Sequence, residues 1–197
     1  MYKVKYMKLI RQLDYPDLLY PTTLEENVPL QPPYPSIAKS GCGLCCICMM
    51  VQSLSDQPLS VEKCIQLSIQ AKANYFGTDM RRLAPVIAHL YHLKFHMSNE
   101  INDVITTLGD GGRVIVNVGK PNGLLSDGGH FVLADGAKNG FIQILDPSYS
   151  QEKYEKPYRK GLVSFDGEYI LLSPSALAEQ SSNRDPSFYI FEPNILK

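Results

Sequence analysis

The stretch SGCGLCCICMM, residues 40–50, holds four of the chain's five cysteines within seven positions. Its reading decides the fold. As a metal site it would use Cys42-x-x-Cys45 and Cys45-x-x-Cys48, both spacings that zinc accepts, with His89-x-x-His92-x-x-x-His96 as further donors. The residues between the thiols are mostly Leu, Cys and Ile on a helical pattern, not the glycines of a ligand turn, so no metal is expected. As a disulfide framework it fails on spacing. Cys45 and Cys46 are adjacent, the count is odd, and small secreted scaffolds spread their cysteines along the chain. The third reading is a buried helix. Leu44, Ile47, Val51 and Leu54 recur at helical spacing, which predicts a helix from about Cys42 to about Leu54. Cys45, Cys46, Cys48 and the later Cys64 then serve as small apolar core residues with inert thiols.

Cys42 differs from the other four. Glycines flank it on both sides, and it stands where a loop becomes a helix. Gly41 and Gly43 are expected to leave room for a substrate backbone. Free N–H groups and the helix dipole at a first turn favour a thiolate. These residues fit an activated nucleophile; they also fit a plain loop-to-helix junction.

The chain has 197 residues, enough for one domain with a sizeable core. With 20% charged residues and a net charge of −1, neither nucleic acid nor an anionic membrane is expected as a partner. The longest apolar run, Leu44 to Val51, is too short to cross a bilayer. The N-terminus lacks the apolar core and cleavage site of a signal peptide, so a cytoplasmic protein without membrane insertion is expected. Residues 14–39 contain six prolines, and the whole of 1–39 is expected to be an irregular arm over the domain.

Three more helices follow in the pattern. Ser60 caps one, with Val61, Cys64, Ile65 and Ile69 inward. Thr78-Asp79 opens the next, which reaches about Tyr91 and is bent at Pro85. Ser98 or Asn99 caps a third, with Ile101, Val104, Ile105 and Leu108 inward. After GDGG, residues 109–112, the character changes. RVIVNV (113–118), HFVLAD (130–135), FIQILD (141–146), EYILL (168–172) and SFYIFE (187–192) read as strands, and SPSALAEQ as a short helix capped by Ser173 with Pro174 at its first position. Helices first and strands after predict an α+β domain with a mostly antiparallel sheet. KYEKPYRKG, residues 153–161, reads as a solvated loop.

A nucleophilic cysteine needs a base, and the base an orienting group. Of four histidines, His130 alone stands apart from the 89–96 group, at the mouth of a strand after SDGG. Asp127, Asp135 and Asp146 are near it in sequence. Asp135 is five residues along the same strand, on the opposite face. If Gly136 pairs with Gly140 in a hairpin, Asp146 lies opposite His130 on the same face.

IAKSGCGLCCICMM followed by GGHFVLADGAKNGFIQILDPS resembles the C39-like cysteine peptidase family. The resemblance spans about residues 34–150 and also covers RVIVNVG, similar to the strand the family places before its histidine. It implies a papain-like fold, with Cys42 as nucleophile, His130 as general base and acid, and Asp146 as orienting residue. It implies a peptide or small amide substrate, and neither metal nor organic cofactor. Two positions depart from the family pattern. Many members have an oxyanion-binding glutamine shortly before the cysteine, whereas here Ser36 stands six residues before Cys42 and the nearest upstream glutamine is Gln31. Oxyanion candidates are therefore the Cys42 backbone N–H, Ser40 and Gln31. Leu44 replaces a small residue or proline. The same residues would serve an acyl or peptidyl transferase, or a peptide-binding module on a decayed scaffold. The cluster's zinc or redox use is a fourth reading.

Overall fold

Apolar residues at three- and four-residue intervals build the first half of the chain, and short alternating or β-branched runs build the second. In a computed structural model, residues 8–25 and 27–194 are described. The helices are α1 (Ile37–Ser40), α2 (Cys42–Leu54), α3 (Val61–Gln70), α4 (Met80–Leu90), α5 (Ile101–Gly109), α6 (Gln151–Tyr154) and α7 (Pro174–Ser181). The strands are β1 (Leu93–Ser98), β2 (Arg113–Val118), β3 (His130–Lys138), β4 (Phe141–Leu145), β5 (Ser164–Asp166), β6 (Tyr169–Leu172) and β7 (Phe188–Pro193). All pairings are antiparallel, in the order β1-β7-β2-β3-β4-β6-β5. The fold is thus α+β with a seven-stranded antiparallel sheet.

The sheet is covered on both faces. On one, α2 packs against Ile115, Leu133, Leu145 and Phe191. Every residue of α2 from Gly43 to Val51 is buried, the mark of a central helix enclosed on all sides. On the other face, Val104 and Leu108 of α5 and Leu177 of α7 meet Val116, Val132, Ala134 and Ile144. Among the described residues no helix is long and apolar enough to cross a membrane.

Several elements differ from the sequence expectation. Edge strand β1 has His96 at its middle, and β5, α1 and α6 are additions of three or four residues. The N-cap of α5 is Glu100, not Ser98 or Asn99. Ser98 Oγ instead accepts from the Glu100 N–H at 2.9 Å, while Asn99 Oδ1 accepts from the Ser187 N–H at 2.8 Å and ties down the turn before β7. Ile69 and Ile105, expected inside, are 41% and 43% exposed at the ends of their helices' apolar arcs. The arm ends at Ser36, because Ile37 begins α1. Residues 1–7 and Glu26 of the arm lie outside the described residues. The arm is anchored by Tyr20, which is fully buried with its Oη 2.6 Å from Ser68 Oγ.

Candidate active site

Cys42 is the first residue of α2, immediately after Gly41 ends α1. The two flanking glycines are needed for packing rather than for substrate space, which corrects the sequence reading. A Cβ on Gly41 would stand 2.5 Å from Ile37 Cγ2 and 2.7 Å from the Ile37 carbonyl oxygen. One on Gly43 would stand 3.0 Å from Thr78 Cβ and 3.2 Å from the Phe131 ring. Gly41 lets α2 start directly against α1. Gly43 lets it press onto β3. Both set the position of the thiol between them.

The base comes from the β3–β4 hairpin, whose register differs from the expected Gly136–Gly140 pairing. A two-residue turn at Asn139 and Gly140, with φ of 53° and 80°, closes the hairpin, so Lys138 pairs with Phe141. Continued unbroken, that register would align Asp146 with Leu133 on the α2 face. One extra residue, Asp135, is inserted between the pairs Gly136–Gln143 and Ala134–Ile144. The bulge changes the parity of the remaining pairing. Leu133 now pairs with Leu145, and Asp146, one step further, falls on the face of Val132 and His130.

The side chains meet there. Asp146 Oδ1 is 2.7 Å from His130 Nε2, with the aspartate fully buried and the histidine 7% exposed. Ser148 Oγ is 3.1 Å from the same nitrogen. With Nε2 committed to this side, Nδ1 is the ring nitrogen left for the thiol. Asp135 lies outside the site: Arg113 Nε binds its Oδ1, and Tyr169 Oη donates to Oδ2 at 2.7 Å. Asp127 is likewise engaged elsewhere, with Arg159 Nη2 at 2.6 Å and Tyr158 Oη at 2.6 Å.

Asp146 also gathers groups that the sequence reading missed. Lys153 Nζ and Tyr154 Oη both approach its Oδ2 at 2.5 Å, and the Ser148 N–H donates to Oδ1 at 2.9 Å. The stretch 153–161 is therefore not simply a solvated loop. It delivers Lys153 and Tyr154 to the site, and Arg159, 1% exposed, clamps it by donating to the Gly123 carbonyl at 2.8 Å. The signal lay in α6, which Ser150 caps by accepting from the Lys153 N–H.

The electrostatics follow from burial and pairing. Burial raises the Asp146 pKa, but His130 and Lys153 outweigh it and hold the carboxyl well below the ordinary range. Burial lowers the His130 pKa, yet Asp146 and the Cys42 thiolate together push it up to about 9. Burial raises the Cys42 thiol, while charge attraction and a hydrogen bond to His130, with backbone N–H groups of Phe131 and Gly43, bring it below its ordinary value. The arrangement favours a thiolate–imidazolium pair backed by a buried carboxylate.

Cys42 and His130 open onto a cleft of about 760 Å³ between the helical half and the sheet. Leu24, Tyr75, Phe76 and Met80 form apolar parts of its wall, and Asn117, Arg184 and Asp185 polar ones. Ser40 also lines it, buried, with an Oγ that has no hydrogen-bond partner. The Cys42 backbone N–H, at the first position of α2, has no partner within the helix. Gln31 is exposed on the arm and does not line the cleft, so it is not an oxyanion donor. Gln12, not singled out in the sequence, is buried behind the site. Its Nε2 donates to the Ala38 carbonyl at 2.8 Å and its backbone N–H to the Pro147 carbonyl at 2.8 Å, tying α1 to the segment carrying Asp146.

Cys45, Cys46, Cys48 and Cys64 are fully buried, and Cys42 alone is partly exposed. Burial pushes the Cys45 and Cys46 thiols well above their ordinary value; Cys48 is raised first by its hydrogen bond with Cys64 and then by burial. Among the described residues no three His, Cys, Asp or Glu side chains group as metal ligands would. No protein-family model and no curated protein sequence matches the chain.

Proposed function

We propose that the chain is a cysteine hydrolase that cleaves a peptide or similar amide bond, with a papain-like arrangement of helix and sheet and a kinship to C39-like peptidases. One observation carries this reading. A polar relay runs from a partly exposed thiol at a helix N-terminus, through an imidazole, to a buried carboxylate 2.7 Å beyond it. A structural histidine–aspartate pair would not need a cysteine of lowered pKa at the floor of a cleft.

The chemistry follows from these positions. The Cys42 thiolate attacks the scissile carbonyl carbon, forming the S–C bond and moving the carbonyl electron pair onto oxygen. The Cys42 N–H and Ser40 Oγ are the candidate donors to that oxyanion. His130 gives its proton to the amide nitrogen, the C–N bond breaks, and the amine leaves a thioester on Cys42. Neutral His130 then takes a proton from water, whose oxygen attacks the thioester and releases the acid. Asp146 keeps the imidazole oriented and stabilises its charged form. No step calls on a metal or organic cofactor.

The test is to incubate the purified protein with a mixture of unstructured peptides and to sequence the products by mass spectrometry. New peptide termini are expected with the wild type and not with Cys42→Ala or His130→Ala. Identical peptide mixtures with and without the wild-type protein would favour a peptide-binding module instead.

A further inference from the structure

Arg184 is an unpaired cation in this cleft. Its Nε is buried without a hydrogen-bond partner, and among the described residues no group accepts from its guanidinium. Two glycines make room for it. A Cβ on Gly119 would stand 1.9 Å from Nη2, and one on Gly129 would stand 3.1 Å from the same atom. The neighbouring Asp185 forms no ion pair with it among the described residues; its Oδ1 accepts from Asn99 Nδ2 at 3.1 Å. An unpaired guanidinium in a partly desolvated cradle fits a planar anion with two acceptor oxygens.

Its side of the cleft can be assigned from the chemistry. His130 must protonate the departing nitrogen, so the departing segment lies on the His130 side of the sulfur. Gly129 immediately precedes His130, and the guanidinium rests against it. The apolar part of the wall is formed instead by Leu24, Tyr75 and Phe76, from the arm and the loop before α4.

Resting on the hydrolase reading above, we propose that Arg184 is a specificity residue that binds a carboxylate on the leaving-group side of the scissile amide. The carboxylate is either the free C-terminus of a short departing segment or an acidic side chain next to the cleaved bond.

Alkylation of Cys42 tests this without knowledge of the natural substrate. N-iodoacetylglycine carries a terminal carboxylate, and N-iodoacetyl-aspartic acid diamide with its side chain left free carries an acidic one. N-iodoacetylglycinamide is the neutral control, and each reagent forms an S–C bond and releases iodide. Rates at Cys42 are read by mass spectrometry as the ratio of charged to neutral reagent within each variant, so a general loss of reactivity cancels. In the wild type at least one charged reagent is expected to exceed the neutral one by about tenfold, the worth of a charge-assisted hydrogen bond. The better of the two identifies the source of the carboxylate. Arg184→Gln is expected to remove the advantage and Arg184→Lys to keep part of it, while Lys39→Gln, at another cation of the cleft wall, retains it. A ratio unchanged by Arg184→Gln, or one abolished by Lys39→Gln instead, overturns the assignment. Failure of Cys42 to react with any of the three reagents would count against the hydrolase reading itself.

Discussion

Asp146 touches the His130 imidazole at 2.7 Å although the strand register aligns it with Val132, two residues away. The contact depends on parity, not on direct opposition. The bulge at Asp135 places both side chains on the sheet face away from α2, and the imidazole reaches the thiol at the strand mouth. Arg113 and Tyr169 hold the bulged aspartate in place, so a remote ion pair fixes the geometry of the site.

Every group around the Asp146 carboxylate is a donor: His130, Ser148, Lys153 and Tyr154. Asp146→Asn therefore sets an amide NH₂ against N–H or O–H groups whichever way it turns. The imidazole loses its negative partner and the thiolate its stabilised cation. Hydrolysis is expected to fall by about two to four orders of magnitude. The pH dependence of Cys42 alkylation should move up towards that of a free thiol, about 8.5. Unchanged alkylation at mildly acidic pH would show that Asp146 does not govern the pair.

On the proposed hydrolase reading, His130 is expected to set the alkaline side of the activity profile. Its pKa is raised to about 9, so the imidazolium that protonates the leaving amine is present below that pH and lost as pH rises through it. Alkylation needs only the thiolate and should continue above this limit while hydrolysis falls. Lys153→Met removes a cation from Asp146 and leaves more of the carboxylate's field on His130. Its alkaline limb is expected at higher pH than that of the wild type. A limb displaced to lower pH would mean that Lys153 orders the carboxylate more than it screens it.

Ser40 has a buried hydroxyl without a partner at the cleft wall, and on the proposed reading it would donate to an oxyanion that only the transition state carries. Ser40→Ala is expected to lower kcat by about two orders of magnitude with little change in KM. An equal rise in KM with kcat retained would assign Ser40 to ground-state binding.

Much of this was legible because it rests on local rules. Helical spacing from Leu44 to Leu54 gave α2 its bounds, and β-branched runs gave the five longer strands after residue 110. Ser60, Asp79 and Ser173 cap their helices with their own oxygens. What was not legible depends on pairing across the sheet. The bulge at Asp135 has no local signature, since an Asp-Gly pair also fits a turn. Edge strands β1 and β5 are short and half exposed, so alternation is weak in them. Lys153 and Tyr154 reach Asp146 only because Arg159 folds their loop back, and a buried arginine cannot be told from a solvated one by sequence.

Gly41 and Gly43 should behave as packing residues. Gly43→Ala meets Thr78 and Phe131 at 3.0–3.2 Å and is expected to cost about 1–3 kcal/mol in urea unfolding. Gly41→Ala meets the Ile37 carbonyl at 2.7 Å, backbone that cannot step aside, and should cost more. The reverse order would mean that the junction between α1 and α2 yields more readily than the contact of α2 with β3.

The five thiols should separate sharply in reactivity. Cys42 is partly exposed, and His130 counters its burial to lower its pKa; the other four are fully buried. A thiolate, not a thiol, attacks an alkylating agent, and it must be reachable. Limiting iodoacetamide at mildly acidic pH is therefore expected to label Cys42 first, with Cys45, Cys46, Cys48 and Cys64 reacting only as the protein unfolds. Cys42→Ala should abolish the fast phase and leave the unfolding midpoint nearly unchanged, because its side chain sits at the cleft floor outside the core. Cys46→Ala should do the opposite, keeping the fast phase and costing about 1 kcal/mol of stability. Equal labelling of all five thiols in the folded protein, or fastest labelling at Cys45 or Cys48, would remove the ground for assigning Cys42 as the nucleophile.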